Sequence, residues 1–240
     1  MVIIGVTPLV SRTEIFNRLK KKDASISLQE LMKMNVAWHM ADMIGSIQPT
    51  SLAIGSGSTS KKVVQAIGEL IKTKRINHEM KAIATSRELS VLAIQVGLKN
   101  TESFDDTLRN IKSIREDQLP KKTTAFGFDG ADEIKVLIDK KNKITGFYSI
   151  KGGGGAHTLE KIIAHMTAHE VFVVDESKIV SNLGETFHLP IEVIPGGVVA
   201  VKEKLLRAYP FTTVNVKKGN DKKNDFITDL GNKIGSRLAL

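Results

Sequence analysis

The spacing of apolar positions divides the chain into segments of different period. Between Pro49 and Asn100 it predicts two successive βα units. The first has a short strand over Ser51–Ile54, a loop over Gly55–Ser60 and a helix from Lys61 to Ile71, with Val63, Val64, Ile67, Leu70 and Ile71 turned to the core. The second has a strand over Met80–Ala84, a hydroxyl pair at Thr85–Ser86 and a helix from Arg87 to Val96. Further on, Phe126–Phe128 reads as a strand end and Tyr148–Ile150 as the end of a buried strand. Thr158–Met166 has helical spacing with Leu159, Ile162, Ile163 and Met166 on one face, and Val171–Val174 is a β-like run that leads into Asp175-Glu176-Ser177-Lys178.

From Pro190 the pattern changes. A proline-bounded strand over Pro190–Pro195, a helix over Val198–Ala208 and a strand over Thr213–Lys217 predict a small α+β unit. Lys217–Asn224 reads as a basic, hairpin-like turn and Asp225–Asp229 as a last strand, while Phe104–Pro120 reads as a charged connection.

The candidate chemistry is concentrated between Phe126 and Glu160. The run Asp129-Gly130-Ala131-Asp132-Glu133 puts three carboxylates at the end of a strand, and Lys151 is followed by four glycines that lead into a helix. Glycines at a helix start let backbone N–H groups approach an anionic oxygen, and Lys151 adds a full positive charge. Glu160 lies nine residues beyond Lys151, early in that helix. Donors beside a carboxylate base suit the removal of a proton from a carbon next to a carbonyl. A glycine-rich hinge before an ordinary surface helix fits the same residues. Asp129 and Asp132 suit paired acid–base work with divergent pKa values, but also turn or cap duty, or a Mg²⁺ site.

Two further segments belong with this one. Ser56, Gly57, Ser58 and Thr59 lie in a loop that can bind phosphate through backbone N–H and side-chain O–H groups. The loop has neither the G-x-G-x-x-G spacing nor the lysine of a P-loop, and an ordinary βα turn fits it equally well. A second hydroxyl pair at an equivalent strand end, Thr85–Ser86, favours one shared crevice. Lys178 falls at a further strand end, although most lysines are simply solvated.

Composition narrows the class. Apolar and charged fractions of 41% and 25% are those of a globular protein, and no apolar run reaches bilayer length. The absence of cysteine excludes a disulfide framework, a zinc thiolate and a thiol nucleophile, and points to a reducing interior. A net charge of +9 suits nucleic acid or anionic metabolites, yet one Trp and two Tyr leave little surface for stacking bases. Met1–Ser25 lacks the layout of a signal or transit peptide. Arg12–Lys20 with Ile26–Leu31 resembles the opening of the winged helix-turn-helix of DeoR-class repressors, but Ala37–Ile44 is apolar and arginine-free where a recognition helix belongs.

From Gln29 to Asn232 the chain resembles the type A family of ribose-5-phosphate isomerases. Its motifs are Gly55-Ser56-Gly57-Ser58-Thr59, Thr85-Ser86, Asp129-Gly130-Ala131-Asp132-Glu133, Lys151-Gly152-Gly153-Gly154-Gly155, Asp175-Glu176-Ser177-Lys178, Pro190-Ile191-Glu192-Val193 and Thr228-Asp229-Leu230-Gly231-Asn232. The resemblance implies an α/β fold: a Rossmann-like, doubly wound, mostly parallel sheet over 26–189 and a smaller α+β, ferredoxin-like domain over 190–240, after an N-terminal extension over 1–25. Leu230 stands where the family pattern has Asn, and the family continues further, so the small domain is expected to be truncated.

The resemblance also implies the chemistry. Glu160 would carry a proton between C1 and C2 through an enediolate, interconverting D-ribose 5-phosphate and D-ribulose 5-phosphate without metal or cofactor. Lys151, Gly152, Gly153 and Gly154 would stabilise the enediolate oxygen, Asp129 or Asp132 would assist ring opening, and Gly130, Ala131 and Lys178 would contact substrate. Ser56, Gly57, Ser58 and Thr59 would hold the phosphate. The expected partners are a sugar phosphate and copies of the chain in a homodimer or homotetramer, in the cytoplasm, with no nucleic acid or membrane. A sugar-phosphate-sensing domain of a DeoR-like regulator is the alternative, and a Mg²⁺-dependent phosphosugar enzyme using Asp129, Asp132 and Glu133 is the third reading.

Overall fold

The computed structural model describes residues 26–102, 124–228 and 230–237. In chain order its elements are α1 (Leu28–Ile47), β1 (Ser51–Ile54), α2 (Gly57–Lys72), β2 (Lys81–Ala84), α3 (Arg87–Gln95), β3 (Asn100–Glu102), β4 (Thr124–Asp129), β5 (Glu133–Ile138), β6 (Ile144–Ile150), α4 (His157–Met166), β7 (Thr167–Phe172), β8 (Leu189–Val193), α5 (Val198–Ala208), β9 (Val214–Val216) and β10 (Lys233–Arg237). Among the described residues, contacts divide the chain into two units, one of those up to 130 together with 159–176, the other of 131–158 together with those from 177 onward.

In the first unit β3-β2-β1-β4-β7 form a five-stranded sheet, parallel at each pairing. The chain starts at the centre with β1, moves outward through β2 and β3, then returns to the other side of β1 with β4 and β7. That reversal makes the carboxyl ends of β1 and β4 the switch point at which doubly wound sheets bind ligands. Alternation along β1 explains the double winding: Leu52 and Ile54 join a large core with Ala41 and Ile44 of α1 and Val63, Val64 and Ile67 of α2, while Ala53 packs with Ile83 and Ile163 of α4. Full burial of a side chain such as Leu52, Ile54 or Ile67 is worth about 1.5–3 kcal/mol each. Ser27 caps α1 by accepting from the Glu30 amide at 3.2 Å.

In the second unit β5 and β6 form an antiparallel hairpin, and β8-β10-β9 form a three-stranded antiparallel sheet. Ile191, Val193, Val214 and Val216 of that sheet line a shallow hollow with Val198, Val201 and Leu205 of α5. Among the described side chains of the small sheet, Ile234 is the most deeply buried. Among the described residues no helix is long and apolar enough to cross a membrane.

Several sequence expectations need correcting. The first βα helix begins at Gly57, not Lys61, so the expected loop supplies its first turn. Tyr148 is 61% exposed on a hairpin rather than on a buried strand, and only Ile150 at its end is buried. The fifth parallel strand starts at Thr167 and ends at Phe172, before the Val173–Val174 pair. On α4, Ile162 faces outward at 38% exposure while Leu159 and Ile163 are buried. Residues 225–228 form isolated bridges at Asp225 and Ile227 only; the last strand is β10. Leu28–Ile47 is one uninterrupted helix, whereas Arg12–Lys20 and the Phe104–Pro120 connection lie outside the described residues.

Candidate active site

At the switch point of the first unit, β1 ends at Ile54 and β4 at Asp129, and the two ends are laced by Gly55 N–H donating to the Phe128 carbonyl at 2.8 Å. Asp129 is 2% exposed, with Oδ1 accepting from the Gly130 amide at 2.7 Å. Its side chain lies so close to Gly55 that a Cβ there would stand 2.2 Å from Asp129 Cγ. Only glycine permits that approach, so the glycine after β1 is the reason Asp129 fits.

Ser56 is the N-cap residue of α2, but its hydroxyl makes no capping bond. It donates instead to Oε1 of Glu160, a residue 104 positions later. Glu160 sits in the first turn of α4 and is 6% exposed, an unusual degree of burial for a carboxylate. Gly57, Ser58 and Thr59 form the opening turn of α2, where N–H groups lack intrahelical partners; Gly57 and Ser58 are exposed and Thr59 is half-buried. Thr85 is buried at the end of β2, while the Ser86 hydroxyl caps α3 by accepting from the Leu89 amide at 3.3 Å.

In the second unit the glycine run is a built structure. Gly152 has φ +101°, and a Cβ on it would meet His157 Cβ at 2.4 Å. Gly155 N–H closes a turn onto the Gly152 carbonyl at 3.0 Å. Asp132 Oδ2 accepts from the Gly153 amide at 2.8 Å, and Asp132 N–H donates to the Ile150 carbonyl at 2.8 Å. Lys151 and Ala131 are half-buried, Gly152 is buried and Gly154 is exposed. Lys178 is half-buried in a short 3₁₀ turn, Glu176–Lys178, six residues past the end of β7.

The third carboxylate of the acidic run has a different job. Glu133 is fully buried, and its Oε1 accepts from Thr186 N–H at 2.5 Å, Thr186 Oγ1 at 2.7 Å and Phe187 N–H at 2.7 Å, while Oε2 accepts from Gly184 N–H at 2.5 Å. Burial pushes its pKa up, but these hydrogen bonds outweigh burial and hold it below the usual carboxylate value. It anchors the loop that precedes β8. Among the described residues no group of three or more His, Cys, Asp or Glu is arranged to hold a metal ion.

Glu192 of β8, a half-buried residue whose side chain is 7% exposed, is a second hub that the sequence does not reveal as one. It accepts from Thr158 Oγ1 at the start of α4, from Thr228 Oγ1 at 2.5 Å and from Asn232 Nδ2 at 3.0 Å. Burial raises its pKa and the three donors more than reverse that. It therefore ties Thr158 to Thr228 and Asn232. Two of the sequence motifs, around Glu192 and Thr228, thus have a direct hydrogen-bonded link, and only their joint occurrence in the chain hinted at it.

Residues 81–236, more than half of the chain, match the family ribose 5-phosphate isomerase A (phosphoriboisomerase A). The ribose-5-phosphate isomerase A of Methanococcus vannielii is 34% identical over 90% of this chain and 78% of its own length. A solved structure of ribose 5-phosphate isomerase A from Methanocaldococcus jannaschii is similar with a TM-score of 0.65 at 28% identity, covering 85% of this chain and 80% of that one. A D-ribose-5-phosphate isomerase solved in complex with phospho-erythronic acid is similar with a TM-score of 0.67 at 28% identity, covering 87% and 79%.

Proposed function

Because the chain belongs to the ribose 5-phosphate isomerase A family, we propose that it interconverts D-ribose 5-phosphate and D-ribulose 5-phosphate, with Glu160 as the base. The regulator reading has no support from the comparisons. The observation that carries the assignment of the base is the buried Glu160 carboxylate, fixed in the first turn of α4 by the Ser56 hydroxyl.

In the open-chain aldose the C2 hydrogen is acidified by the C1 carbonyl. Glu160 takes that proton, the C1 oxygen gains charge as the C1–C2 double bond forms, and the same carboxylic acid returns the proton to C1. A proton passes between the O2 and O1 oxygens to give the ketose. Lys151 and the N–H groups of the glycine turn stabilise the charge on the enediolate oxygens. Asp129 and Asp132 assist ring opening and the proton shift between oxygens. The first-turn N–H groups and hydroxyls of Gly57, Ser58 and Thr59 take the phosphate dianion, and Lys178 adds a cation to the substrate's anionic end.

The similar enzyme was solved in complex with phospho-erythronic acid, a phosphorylated sugar acid whose carboxylate resembles the charged oxygens of an enediolate, which supports an enediolate-stabilising site here. A homodimer or homotetramer and a cytoplasmic location complete the proposal. The test is a direct assay of ribose 5-phosphate to ribulose 5-phosphate conversion by the 240-residue chain in excess EDTA. Conversion above the buffer rate is expected; its absence, or restoration by Mg²⁺ alone, contradicts the reading.

A further inference from the structure

The glycine turn is held from outside by a cation that the isomerase reading does not use. Lys217 follows β9 directly, its backbone fixed by N–H donation to the Ile234 carbonyl and by acceptance from the Phe226 amide, both at 2.8 Å. Its ammonium stands 4.2 Å from the Phe226 ring centroid and donates to the Gly153 carbonyl. The Phe226 ring also occupies the space where a Cβ on Gly155 would point, 2.5 Å from that position. The Gly153 amide is taken by Asp132 on its other side.

The consequence follows from turn geometry. Gly152 to Gly155 is a four-residue turn, closed by its 3.0 Å hydrogen bond, whose central peptide joins Gly153 to Gly154. Type I and type II turns share their ends and differ by roughly a half-rotation of that central peptide, and type II needs a positive φ at the third residue. Glycine at both central positions leaves either form open to the chain. Gly154 has no positive φ, so the turn is not of type II. The peptide is trans, so with its carbonyl on Lys217 the Gly154 N–H points the opposite way, and Gly154 is exposed.

We propose that Lys217 is a positioning residue for the isomerase reaction: by holding the Gly153 carbonyl it keeps the Gly153–Gly154 peptide oriented so that Gly154 N–H, not a carbonyl oxygen, meets the enediolate. The assignment rests on the isomerase reading of the glycine turn. Without the ammonium the peptide can flip, and a donor for developing negative charge becomes an acceptor that repels it. Phe226 keeps the ammonium in place from its other side.

The experiment compares wild type, Lys217→Met and Lys217→Arg for kcat, KM, melting temperature and inhibition by phospho-erythronic acid and by inorganic phosphate. Loss of one pre-set donor lowers kcat by about ten-fold or more, and phospho-erythronic acid inhibition weakens in parallel. KM and phosphate inhibition stay within about two-fold, since ground-state binding is untouched. Lys217→Arg recovers most of kcat. If Lys217→Met fails to fold, Lys217→Gln, which keeps a neutral donor, is expected to show the same split in smaller measure. A smaller kcat loss in a folded Lys217→Met, or phosphate and phospho-erythronic acid inhibition falling equally, overturns the proposal. Wild type inactive on ribose 5-phosphate sinks the isomerase reading itself; active wild type with an unaffected Lys217→Met sinks this inference alone.

Discussion

Replacing Glu133 by glutamine isolates the buried carboxylate that anchors the 184–187 loop. Glutamine keeps the shape but puts an NH₂ where one oxygen was. The cheaper orientation leaves its carbonyl toward Thr186 and Phe187, where three donors converge, and sets N–H against the Gly184 N–H, which now stands 2.5 Å from an acceptor. Losing one hydrogen bond to a charged group costs about 1.5–3 kcal/mol. Removing the charge weakens the three remaining bonds by several tenths of a kcal/mol each, for a total of roughly 3 kcal/mol.

For a chain of this size about 2–4 °C accompanies each kcal/mol, so the melting temperature should fall by roughly 10 °C at neutral pH. The pH dependence adds a second check. The folded pKa of Glu133 lies below its ordinary value of 4.5, so its contribution is complete above that value and fades as pH falls through the folded one. The difference in melting temperature between wild type and Glu133→Gln should therefore narrow on acidification from neutrality. Thermal melts followed by circular dichroism give both results. A variant within about 2 °C of wild type at neutral pH, or a difference that persists unchanged into acid, refutes the anchoring role.

Other positions give independent checks. Gly55→Ala places a Cβ 2.2 Å from Asp129 Cγ; it should cost about 1–3 kcal/mol in stability and most of the isomerase activity, and an unchanged turnover would show that the Asp129 position is not needed. Asp225, held by Lys218 first and then by Lys233, titrates at about 2. In Lys218→Ala its NMR-monitored pKa should move up toward the ordinary 3.8, and no movement would remove the pairing as the cause.

The legible and illegible parts of the chain differ in how far apart the deciding residues lie. β1 was readable to the residue because the apolar run Leu52-Ala53-Ile54 stops at a glycine. The start of α2 was not, because Gly57-Ser58-Thr59-Ser60 has loop composition, yet it forms the first turn of the helix. β10 escaped notice since Lys233–Arg237 carries one deeply buried apolar side chain, Ile234, and owes its strand to pairing with β8 and β9 on either side. The acidic run offered Asp129 and Asp132 as a working pair and left Glu133 without a role of its own, apart from the Mg²⁺ alternative. The donors that commit Glu133 to structure lie more than fifty residues downstream, and nothing local announces them. Ser56 and Glu160, expected separately from their motifs, are joined in space across 104 positions.

The central claim is that Glu160 moves the proton between C2 and C1, and Glu160→Gln tests it directly. Glutamine preserves size and burial but cannot accept a proton. Steady-state kinetics on ribose 5-phosphate should give a kcat lower by about 10²- to 10⁴-fold, the usual worth of a general base, with KM within a few-fold of wild type. A Glu160→Gln enzyme that turns over at a near-normal rate would contradict the account.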